Sequence, residues 1–153
     1  MIKLRALVVD DSRIMRKMVM DNLTKTNLAD FEFIEAEDGV DALGKFEASG
    51  IDIAFVDWNM PKMSGVEFCV KVRSGKINNK CPISMVTSEK TLGKMELAMD
   101  KAGATGYICK PFTVEEMQRK IGRVVSSIEP GAATSAEPEK KGGFFSKLVQ
   151  GMN

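Results

Sequence analysis

The chain has 153 residues, enough for one domain with a substantial core and too few for a second domain of ordinary size. Its 22 Lys and Arg stand against 21 Asp and Glu, a formal net charge of +1, so it lacks the basic surplus of a general nucleic-acid binder. It has no histidine, which excludes every mechanism that needs a histidine base, nucleophile or ligand from this chain.

The N-terminal apolar run in MIKLRALVVDD is far too short for a signal peptide and ends in two aspartates. No stretch is long enough to span a bilayer. Cys69, Cys81 and Cys109 form an odd set without metal-ligand spacing, in segments that otherwise read as structured, so a reduced protein of the cytoplasm is expected.

In chain order, Leu4 to Val9 reads as a first strand, ending in Asp10 and Asp11. Ser12 caps a following helix, in which Ile14, Met15, Met18, Val19 and Leu23 repeat at helical spacing, the methionines as core filler. Phe31 to Glu37 alternates as a second strand. Asp38 caps a helix with Val40, Leu43 and Phe46 on one face, closed by Ser49-Gly50. Ile51 to Asp57 is a β-favouring apolar run, as a parallel strand buried on both faces requires, and it ends abruptly in the Asp57 carboxylate.

After Pro61, Ser64 and Glu67 form a capping box for a helix with Val66, Cys69 and Val70 inward. Pro82 to Thr87 is a fourth strand. The next helix carries Leu92, Met95, Met99 and Ala102 on one stripe and stops at Gly103. Thr105 to Cys109 is a fifth strand, followed by Lys110-Pro111. Thr113 and Glu116 box a last helix, with Val114, Met117, Ile121, Val124, Val125 and Ile128 towards the core.

Strand and helix thus alternate five times, which implies an α/β protein, a parallel sheet with helices on both faces. In such sheets the site lies at the carboxyl ends of the strands. Four of the five ends carry polar groups: Asp10 and Asp11, Asp57, Thr87, and Lys110. Two carboxylates about 5 Å apart repel by roughly 3 kcal/mol at an effective dielectric near 20, so three together call for a counter-charge. Hard oxygen ligands favour Mg²⁺. A lysine ammonium and a threonine hydroxyl beside them supply what a phosphoryl group needs, and Asp57 can accept one as an acyl phosphate.

The motifs VVDDS, VDWNMP, MVTSE and YICKPF, in this order and spacing, resemble the response-regulator receiver family, most closely its single-domain, CheY-like chemotaxis members. The resemblance covers residues 1–128. It implies a flavodoxin-like (βα)5 fold with strand order 2-1-3-4-5. It further implies that a partner histidine kinase phosphorylates Asp57, with Mg²⁺ held by Asp10, Asp11, Asp57 and the backbone carbonyl of Asn59. Thr87 then follows the phosphoryl oxygens and Tyr107 changes rotamer, altering the face made by the fourth helix, fifth strand and fifth helix, where a protein target such as the flagellar motor switch binds. Lys110 bridges to the phosphoryl group across a cis Lys110-Pro111 peptide, and Asn59 and Glu89 tune the phosphate lifetime. Ser64 stands where the family often has an acidic residue, and caps equally well. The phosphodonor imidazole comes from the partner, which accommodates the absence of histidine.

Trp58 is expected at a partly exposed pocket rim. Residues 129–143 (EPGAATSAEPEKKGG) read as a flexible linker, and 144–153 as a short amphipathic segment with Phe144, Phe145, Leu148 and Val149 on one face. That segment invites docking in a groove or, with only Lys140, Lys141 and Lys147 as basic anchors, contact with a membrane. No room for a DNA-binding output domain follows the fifth helix. The expected protein is therefore a monomeric phosphorylation switch acting through protein partners, without nucleic acid, and not a metabolic enzyme. A Mg²⁺-dependent phosphohydrolase would carry Asp-x-Asp where this chain has Asp10-Asp11-Ser12. The aspartates after strand one also disfavour a flavin phosphate, and the complete pocket disfavours an inert scaffold.

Overall fold

Five apolar runs pair in parallel, and everything else in the domain is arranged by that sheet. The computed structural model describes residues 1–128; the linker and amphipathic segment expected over 129–153 lie outside the described residues. Its strands are β1 (Lys3–Val9), β2 (Asp30–Ala36), β3 (Ile53–Val56), β4 (Ile83–Thr87) and β5 (Gly106–Cys109), in the order β2-β1-β3-β4-β5. The helices are α1 (Arg13–Lys25), α2 (Gly39–Ser49), α3 (Gly65–Ser74), α4 (Leu92–Glu96) and α5 (Val114–Ser127), and α4 runs on as a π-helical turn over Leu97–Lys101. The strand order is the one the family resemblance implies.

Strand alternation divides the core between two faces. Leu4, Ala6 and Val8 of β1, with Phe55 and Ile108, pack under Val19 and Leu23 of α1 and Met117, Ile121 and Val125 of α5. Leu7, Val9, Val56 and Met85 pack with Phe46 of α2 and Phe68 of α3, whose rings meet edge to face at 5.9 Å. The central strand is buried at every position, and Asp57 follows directly at its carboxyl end. β3 is shorter than the Ile51 to Asp57 run, yet pairing extends beyond it: the Asp52 amide donates to the Arg5 carbonyl at 2.8 Å and the Asp57 amide to the Val9 carbonyl at 2.9 Å.

The helix starts follow the local chemistry of the sequence. Ser12, Asp38, Ser64, Thr91 and Thr113 each accept a backbone N–H, and complete capping boxes form at Ser64/Glu67 and Thr113/Glu116. Gly50 ends α2 in the left-handed conformation, φ 61°.

The helix faces require correction. Ile14 and Met18 of α1, Val40 of α2, Val70 of α3 and Leu92 of α4 are exposed rather than inward. Each helix touches the sheet along a narrow stripe, and one residue step rotates a side chain by about 100°. Val19 and Leu23, Ala42 and Phe46, Phe68 and Val72, and Ala98 and Ala102 occupy those stripes, leaving neighbouring apolar residues outside.

Candidate functional site

The β1, β3 and β5 ends converge on one acidic pocket. Asp10 directly follows β1 and is 4% exposed, while Asp11 beside it is exposed. Asp57 directly follows β3 and is 9% exposed. One carboxylate oxygen from each of the three lies within 4.8 Å of the others. Three hard, ionisable oxygens this close, one of them open to solvent, fit a divalent cation that keeps part of its water shell.

Lys110 reaches the cluster from the end of β5. Its Nζ donates to Asp10 Oδ2 at 2.8 Å and lies 3.6 Å from Asp57 Oδ1. The Lys110–Pro111 peptide is cis. Asp10 is also tied through Oδ1, which accepts the Ser12 amide at 2.9 Å, and Asp57 Oδ1 accepts the Trp58 amide at 2.9 Å.

Burial raises the Asp57 carboxyl above its ordinary value; the Lys110 ammonium opposes the rise, the Asp10 charge adds to it, and the Thr87 hydroxyl and Trp58 amide lower it. Desolvation thus prevails over the lysine. A buried, raised carboxyl among charged partners makes Asp57 the candidate reactive group of the set.

Thr87, at the end of β4, is fully buried, and its hydroxyl accepts the Glu89 amide at 3.3 Å. Tyr107 is 6% exposed on β5 and donates its hydroxyl to the Glu89 carbonyl at 2.6 Å. Burial first, with Cys109, Glu89 and Asp57 adding to it, pushes its phenol up to about 12, so Tyr107 stays a neutral donor throughout the physiological range. Asn59 donates to Glu89 Oε2 at 2.7 Å.

Trp58 is not at an exposed rim. It is 7% exposed and belongs to the core on the α2, α3 and α4 side, with Lys94 Nζ 4.9 Å from the ring centroid. Trp58 continues the alternation of β3 past Asp57 and falls on the side of Ala54 and Val56, where Lys94 of α4 lies over its ring. Cys69 and Cys81 are buried, and burial raises both thiols, Cys81 to about 12; neither is a thiolate at neutral pH.

Two contributors carry little signal in the sequence. Gly65 lies against the loop after β3: a Cβ there would sit 2.0 Å from the Asp57 carbonyl oxygen, and its amide donates to the Trp58 carbonyl at 2.9 Å. Arg16 sits beneath the Asp10 backbone; the one clue is a charge three and seven residues before Val19 and Leu23, on the buried stripe of α1.

The model of the response regulator receiver domain family matches residues 6–122, most of the chain. The chain belongs to the response-regulator receiver family. This receiver domain is 37% identical over 125 residues to the chemotaxis protein CheY1 of Helicobacter pylori strain 26695, a match covering 81% of this chain and 98% of that one. It is 39% identical over 127 residues to the chemotaxis protein CheY homolog of Campylobacter jejuni strain 81-176, covering 81% and 94% respectively. Among solved structures, the Vibrio cholerae chemotaxis protein CheY4 superposes with a TM-score of 0.70 at 35% identity, covering 80% of this receiver domain and 98% of that chain. Receiver domains are signalling switches, and this one is the receiver of a response regulator. Among the described residues no helix is long and apolar enough to cross a membrane.

Proposed function

We propose that the protein accepts a phosphoryl group on Asp57 from a histidine kinase and uses it to alter a protein-binding surface in chemotaxis or motility signalling. The observation that carries this reading is the placement of Asp57: a carboxyl raised by burial, with Asp10, Asp11 and Lys110 around it and Thr87 beside it.

Asp10, Asp11 and Asp57, with the backbone carbonyl of Asn59, would hold Mg²⁺. When bound, that ion neutralises the carboxylates and the developing charge on the phosphoryl oxygens. An Asp57 oxygen attacks phosphorus, the phosphorus–nitrogen bond of the donor phosphohistidine breaks, and its electron pair stays on the partner's imidazole. Lys110, already 3.6 Å from Asp57, supplies an ammonium to the transferred group. Thr87 turns its hydroxyl towards that group and releases the Glu89 amide. Glu89 is also where Tyr107 is tied, so the change passes to Tyr107 and to the surface of α4, β5 and α5. Asn59 and Glu89 set how long the phosphate survives.

The protein is read as a cytoplasmic monomer, with residues 1–128 as the switch, 129–143 as an appended linker and 144–153 as a short amphipathic segment. The relatives named for chemotaxis favour a motor-switch protein as target.

Trp58 gives the test. Mg²⁺ and then beryllofluoride are titrated against its fluorescence, with Asp57→Asn as control. A saturable Mg²⁺ response followed by a fluoride-dependent change absent from Asp57→Asn is the expected result. A Trp58 signal indifferent to both overturns the reading.

A further inference from the structure

Among the described residues, Arg16 is the cation that grips the backbone of the acidic pocket rather than one of the pocket's own carboxylates. Its side chain, 13% exposed, donates through one terminal nitrogen to the Asp10 carbonyl at 2.7 Å, and through Nε to Glu35 Oε1 on β2 at 2.8 Å. From the other side the Asp10 amide donates to the Ala36 carbonyl at 3.2 Å, and Lys45 Nζ donates to the Glu35 carbonyl at 2.6 Å. The neighbouring strand end is therefore itself held in place.

The gripped carbonyl belongs to the peptide joining Asp10 to Asp11. A peptide group is planar, so fixing its oxygen fixes the directions in which both residues leave it. Asp10 has further ties, to Lys110 and to the Ser12 amide. Asp11 is exposed and reaches the cluster by the course of its backbone. We infer that Arg16, braced by Glu35, is a positioning residue that holds the Asp10–Asp11 peptide so that both carboxylates meet Asp57 around a divalent cation.

This inference rests on the phosphoacceptor reading above. The two acceptors of Arg16 lie in different directions, and a guanidinium serves both with separate N–H groups, whereas an ammonium is a point charge without a fixed fork. Groups that orient metal ligands are worth about 10- to 100-fold in metal affinity.

Charge alone predicts the opposite sign. Removing a cation from the edge of three carboxylates strengthens their attraction for Mg²⁺. Positioning predicts that the same removal weakens it. The full chain is compared as wild type, Arg16→Met and Arg16→Lys, reading the Mg²⁺ dissociation constant from Trp58 fluorescence and, in metal-free protein, the backbone amide resonances of Asp11 and Ser12. Arg16→Met is expected to weaken Mg²⁺ binding by about tenfold and to shift the Asp11 amide; Arg16→Lys, which keeps the charge, is expected to recover only part of the affinity.

Binding unchanged or tighter in Arg16→Met, with the Asp11 amide unmoved, overturns the inference whatever happens to stability. If Arg16→Met does not fold, Arg16→Lys decides: full wild-type affinity overturns positioning and leaves only a charge requirement. A wild-type chain that ignores Mg²⁺ overturns the pocket reading and this inference together. A responsive wild type with an indifferent Arg16→Met overturns this inference alone.

Discussion

The Asn59 carboxamide donates a 2.7 Å hydrogen bond to Glu89 Oε2, joining the loop after β3 to the loop after β4. Glu89 Oε1 lies 3.9 Å from Lys94, and Lys94 lies over the Trp58 ring, so the bridge is continuous with the start of α4. Asn59 is exposed, which limits the bond's worth. A double-mutant cycle of Asn59→Ala and Glu89→Ala in urea denaturation is expected to give a coupling of about 0.5–1 kcal/mol. A coupling of zero means the bridge adds nothing to the stability of the fold.

Lys110 is the only protein cation that forms ion pairs with both Asp10 and Asp57 among the described residues, with 12% of its side chain exposed. Lys110→Met leaves buried carboxylates uncompensated and is expected to cost about 3 kcal/mol in metal-free protein. The variant is also expected to bind Mg²⁺ more tightly than wild type, because the ion then meets the carboxylates without a competing ammonium. Denaturation with and without Mg²⁺ measures both effects: the stability gap narrows as the ion is added.

The raised Asp57 carboxyl fixes the sign of a pH effect. Below the ordinary value of 3.8 the group is protonated both folded and unfolded, and contributes nothing. Between 3.8 and the raised folded value the native state holds the extra proton, so stability falls as pH rises, and the full destabilisation persists above that window. Asp57→Asn is therefore expected to unfold at a higher temperature than wild type at pH 7 without Mg²⁺, the difference closing as pH approaches the ordinary carboxylate range. Mg²⁺ affinity of the wild type is expected to fall on acidification through the same window, since a ligating carboxylate must be ionised. Identical melting curves for the two proteins at pH 7 contradict the assignment.

Gly65 has no room for a methyl group, and the atom opposing it is the backbone oxygen of Asp57, which no rotamer change can remove. Gly65→Ala is expected to cost about 1–3 kcal/mol and, by displacing Asp57, to weaken Mg²⁺ binding as well. A variant of wild-type stability and metal affinity shows that the loop can move away without cost.

The architecture was unusually legible. β3 can be read because burial on both faces demands an uninterrupted apolar run, and the helix starts because their caps are local hydrogen bonds between residues three apart. The candidate pocket was legible for the same reason: parallel strands place their carboxyl ends on one edge, so polar residues there must become neighbours. Helix faces were less legible. Ile14, Met18, Val40, Val70 and Leu92 are apolar at helical spacing yet exposed, since spacing gives the relative angles around a helix without saying which angle meets the sheet.

The sequence by itself thus determined the order of strands and helices, the helix caps and the set of groups at the strand ends, all of which depend on period, composition and short-range hydrogen bonding. Tertiary structure alone decided that Trp58 is buried, that Glu89 receives both Tyr107 and Asn59, that Gly65 presses on the Asp57 carbonyl and that Arg16 holds the peptide between Asp10 and Asp11. The last three depend on atoms brought together to within a few ångströms by how the loops close over the sheet. No one-dimensional pattern specifies those three; for Trp58 the alternation of β3 gives the side of the sheet, and only the packing around it gives its burial.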